Sequence, residues 1–257
     1  VIFLKLGGSL ITDKTKPLTA RQDVIDRLAA EIAAAWHSTP ASSLLIGHGS
    51  GSFGHYAASQ SGIHHGARTV QDWTGFVSVA RAARQLHQIV MQALLEAGLP
   101  VMSFPPSSML QTRDGKILTY HTAPIEIAVE HGLIPVVHGD VAFDESQGSA
   151  IVSTEQVFSA LVHDLQPQRL LLAGMQNGVL DSTGSTLEII RPEIVGDLKF
   201  EQVPGEDVTG GMRAKVEEAL AWAVDFGAVE ILIFSASSPG ILKQVLEGGT
   251  AGTRIIA

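Results

Sequence analysis

The residues best placed to do chemistry lie in Gly47-His48-Gly49-Ser50-Gly51-Ser52-Phe53-Gly54-His55, directly after the apolar run Leu44-Leu45-Ile46. Its glycines and serines leave few side chains in the way, so backbone N–H groups can close on an anion. A helix beginning near Gly54 would add free N–H groups and the positive end of its dipole, with the His55 imidazole beside them. That is the outline of a phosphate site. Lysines stand beside comparable turns. Lys5 interrupts the apolar run from Ile2 to Leu6 just before Gly7-Gly8-Ser9, where an amine is costly unless its head reaches a partner or solvent. A snorkelling lysine on an edge strand is the plain alternative. Lys14 follows the same turn, and Lys215 flanks the apolar stripe of a helix opened by Asp207-Val208-Thr209-Gly210-Gly211. Lys14 or Lys215 alone reads as solvated charge. Together with Lys5 and the glycine turns they suit phosphoryl transfer, in which the protein positions phosphates and neutralises charge on the group in flight.

Other chemistries fit less well. Gly49-x-Gly51-x-x-Gly54 satisfies the dinucleotide-binding pattern, which also needs an acidic residue about twenty positions later to hold a ribose. Asp72 is near that distance but begins a long helical pattern, so a dinucleotide oxidoreductase stays open as a weaker reading. The P-loop spacing is absent, and neither Ser50 nor Ser52 is central in Gly-x-Ser-x-Gly. The ten histidines show no metal spacing and read mostly as surface or satisfied core residues, so no metal ligand set is assigned. There is no cysteine, which excludes disulfides, thiolate metal sites and cysteine nucleophiles.

These residues need a scaffold. The 257 residues are 45% hydrophobic and 17% charged, enough for one domain with a large core. A net charge of −9 argues against general nucleic-acid binding. Neither a signal peptide nor an apolar run near the ~20 residues that span a bilayer is present, so no membrane role and a cytoplasmic setting are expected. Strands are expected at Ile2 to Leu6, Leu44 to Gly47, Val101 to Phe104, Leu133 to Val137, Arg169 to Ala173 and Val229 to Phe234. Helices are expected at about Gln22 to Trp36, Gln71 to Ala97, Ala123 to His131 and Thr154 to Asp164, with more after the irregular segment Gly174 to Pro204. Hairpin-like excursions cover Met109 to Thr119, turning at Asp114-Gly115, and Val141 to Val152. Pro135 argues against a central position for its strand. The alternation predicts a mainly parallel sheet covered on both faces, with ligands at the carboxyl ends of its strands, where the glycine turns fall.

With these motifs in order, the chain resembles the amino-acid kinase superfamily and, within it, the isopentenyl phosphate kinase family. The resemblance covers almost the whole length. It rests on Lys5-Leu6-Gly7-Gly8-Ser9, Lys14, Gly49 to His55, Val137-His138-Gly139-Asp140, Thr209-Gly210-Gly211-Met212-x-x-Lys215 and Gly252-Thr253-Arg254-Ile255. The Gly-Ser-Phe-Gly-His end is typical of isopentenyl phosphate kinases and of the similar fosfomycin kinases.

The resemblance implies a three-layer αβα sandwich spanning residues 1–257 as one domain, with an acceptor-binding lobe at about 1–165 and a nucleotide-binding lobe at about 166–257. It implies ATP as donor, Mg2+ carried on the ATP phosphates, and a homodimer. Lys5 and Lys14 would stabilise the charge in transfer, and Gly7, Gly8, Ser9 and Gly51 would hold ATP phosphates. Gly211 and Lys215 would complete the nucleotide site, with Met175 and Gly178 among its contacts. Ser50, Gly54, His55 and Thr154 would hold the acceptor, and Glu155 would orient the lysines. Thr154-Glu155 stands where relatives commonly carry Gly-Asp, and Met175-Gln176-Asn177-Gly178 where they carry Asp-x-Asp-Gly. An acceptor that is already a phosphate has ionised oxygens and needs no general base, so His55 would serve as hydrogen-bond donor and charge partner. The isoprenoid tail needs an apolar pocket, expected along Phe76, Val79, Ala80 and Ala83. The alternatives are a kinase for another small phosphate or phosphonate such as fosfomycin, and a phosphate-binding protein without turnover.

Overall fold

Residues 1–39, 43–193, 211–227 and 229–257 are described in the computed structural model. Asp207 to Gly210, including the Thr209 and Gly210 of the late glycine motif, and the 194–204 part of the irregular segment lie outside the described residues.

β1 (Ile2–Leu6) runs into the Gly7-Gly8 turn and a single helical turn, α1 (Gly8–Ile11). α2 (Gln22–Ser38) returns the chain to β2 (Leu44–His48), which α3 (Gly51–Ser61) and the long α4 (Val70–Glu96) follow. After β3 (Val101–Ser103) comes the expected hairpin, β4 (Leu110–Arg113) and β5 (Lys116–Tyr120). Asp114 and Gly115 turn it with φ of 51° and 74°, the positive pair that a tight twisted hairpin requires. Next are α5 (Ala123–Glu130), β6 (Ile134–His138), β7 (Asp140–Asp144), β8 (Gly148–Val152), α6 (Thr154–Leu165) and β9 (Arg169–Gly174). The chain closes with β10 (Ile189–Ile190), α7 (Gly211–Phe226), β11 (Glu230–Ser235), α8 (Ile241–Leu246) and β12 (Thr253–Ile255).

Among the described residues, eight strands form one sheet in the order β10-β12-β11-β9-β1-β2-β6-β3. Every neighbouring pair is parallel except β11 with β12. Strand alternation divides the core cleanly. Leu4, Ile46, Leu171 and Leu232 pack beneath α2, α4 and α8, while Phe3, Leu45, Leu170 and Ile231 pack beneath α5, α6 and α7. The result is the three-layer αβα sandwich. Pro135 lies inside β6, second from the sheet edge, in register with Met102 of the three-residue β3. A smaller sheet, β5-β4-β7-β8, is built from the two excursions.

The acid considered for a ribose is used otherwise. The Asp72 carboxylate accepts from the backbone N–H groups of Arg68 and Thr69 at 2.9 and 2.8 Å, completing a capping box at the start of α4. These hydrogen bonds hold its carboxyl below the usual range.

Three histidines lie buried together where β2, β6 and α4 meet. His48 Nε2 and His87 Nδ1 share a hydrogen bond of 2.9 Å, and His87 Nε2 lies 2.7 Å from the Ser103 hydroxyl. The His138 ring is 4.3 Å from that of His87, centroid to centroid. Burial, reinforced by the charge of His138, pushes His48 down to about 3, and burial also lowers His87 and His138. Each is therefore neutral in the fold and titrates near 6.5 once unfolded. Their contribution is present in full above that value and is lost as pH falls below it. Going from pH 7 to pH 5 should cost about 2 kcal/mol for each histidine that stays neutral. Urea unfolding at the two pH values checks this, and a His87→Gln variant should show the shallower loss.

Candidate functional site

The site is built on backbone before side chains. The turns after β1 and β2 touch so closely that a Cβ on Gly8 would stand 2.6 Å from the Gly51 nitrogen, and one on Gly49 would stand 2.9 Å from the Gly8 nitrogen. Gly51 has φ +51°, and a Cβ there would meet the Thr12 hydroxyl at 2.3 Å. That hydroxyl joins the turns: it donates to the Gly8 carbonyl at 2.7 Å and accepts from the Ser52 N–H at 3.0 Å. Thr12 is fully buried, and nothing in the sequence singled it out. The turn at Gly139, between β6 and β7, is tied in by its N–H, which donates to the His48 carbonyl at 3.0 Å.

α3 begins at Gly51 rather than near Gly54, because Ser50 already takes helical angles and its carbonyl accepts from Phe53 and Gly54. Its N-terminus thus points from the heart of the glycine stretch, with His55 in the second turn. A Cβ on Gly54 would fall 2.1 Å from the Ser50 hydroxyl, so the missing side chain at 54 makes the space that Ser50 occupies.

Lys5 is buried at the carboxyl end of β1, and its ammonium donates to Glu155 Oε1 in the first turn of α6. Burial pushes the Glu155 carboxyl up. The charge and hydrogen bond of Lys5, the residue's own N–H and the charge of Lys215 together outweigh it, leaving the carboxyl below its usual range. Glu155 thus keeps the charge at this position, reaches Lys5 through its extra methylene, and lies in the field of Lys215.

Two cavities meet here. The larger, about 560 Å³, has a polar end made by the glycine turns, Ser50, His55, Lys5 and Lys215, and an apolar end made by Ala58, Val79, Ala83, Ala150 and Ile151. The smaller, about 330 Å³, is lined by Lys14, Met175, Gln176 and Met212. Both share Lys5, Gly7, Ser9, Glu155 and Lys215. One lysine-lined neck therefore joins a cavity with an apolar end to a second cavity beside β9. Such a shape suits two phosphate-bearing molecules meeting end to end.

Several expected contacts fall elsewhere. Thr154 is buried with its hydroxyl donating to the His48 carbonyl at 2.7 Å, and its methyl fills the space above Gly47, so it supports the turn and does not line either cavity. Gly178 lies outside both linings: a Cβ on it would stand 2.5 Å from the Thr253 hydroxyl, so close packing against β12 accounts for the glycine. Gly211 opens α7, one turn before Lys215. Val79 and Ala83 line the larger cavity, whereas Phe76 is buried in a side cluster and Ala80 faces a separate cavity on another side of α4.

Besides Thr12, two residues of the site carried no sequence signal. Glu218 lines the larger cavity and accepts from the Ser159 hydroxyl at 2.8 Å; burial, with the charge of Glu155 added, raises its carboxyl. Gln156 lines the same cavity from the first turn of α6. Among the described residues no group of three histidine, aspartate or glutamate side chains gathers as a metal cage.

Comparison with known proteins gives a consistent picture. The amino acid kinase family matches residues 1–235. The chain is similar to the isopentenyl phosphate kinase of Methanothermobacter thermautotrophicus, with 34% identity over 99% of this chain and 98% of that one. The isopentenyl phosphate kinase of Methanocaldococcus jannaschii is 29% identical over 98% of this chain and 97% of its own. Among solved structures, one of an isopentenyl phosphate kinase superposes with a TM-score of 0.83 at 31% identity, covering 99% of both chains.

Glu155→Gln keeps the shape of the side chain but leaves the Lys5 ammonium buried against a neutral partner. Removing one member of a buried pair costs about 3–5 kcal/mol. Urea unfolding at pH 7 should show a loss of that order for this variant.

Proposed function

Since the chain belongs to the amino acid kinase family, we propose that it transfers the γ-phosphate of ATP to isopentenyl phosphate, giving isopentenyl diphosphate and ADP. The observation that carries this reading is the pair of cavities that share Lys5, one of them lined in part by the apolar Ala58, Val79, Ala83, Ala150 and Ile151, which suit a short hydrocarbon tail. Near-full-length similarity to isopentenyl phosphate kinases supports the same acceptor.

In this reading the acceptor phosphate lies against Ser50 and His55, with its tail between Val79, Ala83 and Ile151. The donor phosphates lie across Gly7, Gly8 and Ser9, toward Lys14 and Met175. An ionised acceptor oxygen attacks the γ-phosphorus in line, the bond from that phosphorus to the β,γ-bridging oxygen breaks, and ADP leaves with the electron pair. No proton is abstracted, so no general base is required. Lys5, Lys14 and Lys215 balance the negative charge shared between donor and acceptor. Glu155 acts through Lys5 as a positioning residue. The rigid turns hold the two reactants at one separation.

Magnesium bound to the ATP phosphates would supply further charge neutralisation. An ion that prefers phosphate oxygens and water needs no protein cage of three acids. Residues 1–165 form the acceptor half in this reading and 166–257 the nucleotide half. Family likeness also supports a homodimer working in the cytoplasm; among the described residues, no helix is long and apolar enough to cross a membrane.

An assay of ATP consumption with isopentenyl phosphate, dimethylallyl phosphate, longer prenyl phosphates and fosfomycin tests the proposal. The expected result is turnover with isopentenyl phosphate and a diphosphate product; turnover with fosfomycin alone, or with none, would sink it. His55→Ala should raise the acceptor KM by about ten- to a hundredfold, the worth of a hydrogen bond to a charged group, with little change for ATP. Ala83→Phe should likewise weaken acceptor use alone by about tenfold or more, because the ring fills the apolar end.

A further inference from the structure

We propose that Gln156 is a positioning residue for the acceptor side of the reaction, holding the β4–β5 turn in place as one wall of the larger cavity. Its side-chain amide donates to the Gly115 carbonyl at 3.0 Å, and both residues line that cavity. The inference rests on the reading of this cavity as the acceptor site.

The side chain has little freedom to do anything else. Gln156 Oε1 accepts from the Ser153 N–H at 2.9 Å, and the Gln156 N–H donates to the Ser153 hydroxyl at 3.1 Å, which together cap α6. An N–H can only donate and a carbonyl can only accept, so these neighbours leave one orientation of the amide. The cap spends the oxygen, and the NH₂ group faces the hairpin.

On the far side, the hairpin turn is already a rigid piece. The buried Asp144 carboxylate accepts from the Gly115 N–H at 2.9 Å, from the Ser146 N–H at 3.0 Å and from the Gln147 N–H at 3.0 Å. That carboxylate joins the turn at 114–115 to the turn at 145–147, and Gln147 also lines the cavity. The two turns thus move as one wall, and Gln156 ties that wall to α6. The residue before it, Glu155, holds Lys5. Consecutive residues of one helical turn therefore set the donor-side lysine and the acceptor-side wall relative to each other.

Gln156→Glu separates the two jobs of the side chain. A glutamate still accepts from the Ser153 N–H and keeps the cap, but it has no donor for the Gly115 carbonyl. Because it also adds a negative charge to a cavity that takes an anion, the uncharged Gln156→Met is measured beside it, and the acceptor KM should rise in both. The expected result is an acceptor KM raised by about tenfold, the effect of one lost hydrogen bond, with the ATP KM within about twofold of the parent. Longer prenyl phosphates should gain relative to isopentenyl phosphate. Hydrogen–deuterium exchange without substrate should quicken at residues 113–116 and stay unchanged at 157–161. An unchanged acceptor KM, equal rises for acceptor and ATP, or unchanged exchange at 113–116 would overturn the inference. If the parent protein does not turn over isopentenyl phosphate, the acceptor assignment falls, while the exchange measurement still decides whether Gln156 holds the turn.

Discussion

A buried ammonium must meet a carboxylate, and the structure is arranged so that Lys5 meets Glu155. Lys5 sits in β1 between Leu4 and Leu6, both buried, so its charge has no tolerable place except at the strand's carboxyl end with a partner. That partner is 150 residues away in the chain. Bringing the two together requires β1 in the interior of the sheet, between β2 and β9, and α6 starting just beyond the strand ends. Placing Glu155 in the first turn of α6 adds the helix dipole and a backbone N–H to the attraction of the lysines. Pairs of this kind add little net stability over apolar packing. What the pair supplies is a fixed positive charge where two cavities join.

The sandwich was legible in the sequence because its signals are local. Apolar runs such as Leu44-Leu45-Ile46, the stripe on α4 and the Asp114-Gly115 turn each state their own geometry within a few residues. Lys5, Gly8, Gly51 and His55 were legible for a related reason, being residue types out of place unless a ligand or a close approach explains them. Thr12 and Gln156 gave no such signal, because a threonine or glutamine is ordinary anywhere and acquires meaning only through partners at 8, 52 and 115. Thr154 and Gly178 are a different case. They occupy motif positions, yet packing against Gly47 and Thr253 accounts for them. The histidine cluster was hidden because His48, His87 and His138 are brought together by strand order and the lie of α4, neither of which spacing reveals.

α4 serves two environments at once. Val79 and Ala83 look into the cavity with the apolar end, while Ala80 and His87 border another cavity, and Asp140 lines both. Helical periodicity places Val79 and Ala83 on one stripe and Ala80 on its flank, so adjacent positions need not share a role. A small side chain at 83 leaves the cavity unfilled, whereas His87 completes the histidine cluster next to the glycine turns.

The contact between the Gly8 and Gly51 turns makes the centre of the site a ruler cut in main chain. The separation it sets depends on peptide planes and the Thr12 bridge rather than on the length of any one side chain. In the proposed reading, the walls of the apolar end can therefore drift in sequence, and with them the preferred length of the tail, while the gap between the reacting phosphates stays the same. The centre itself has no gradual route of change, since even a methyl group at position 8 or 51 must displace the opposing turn.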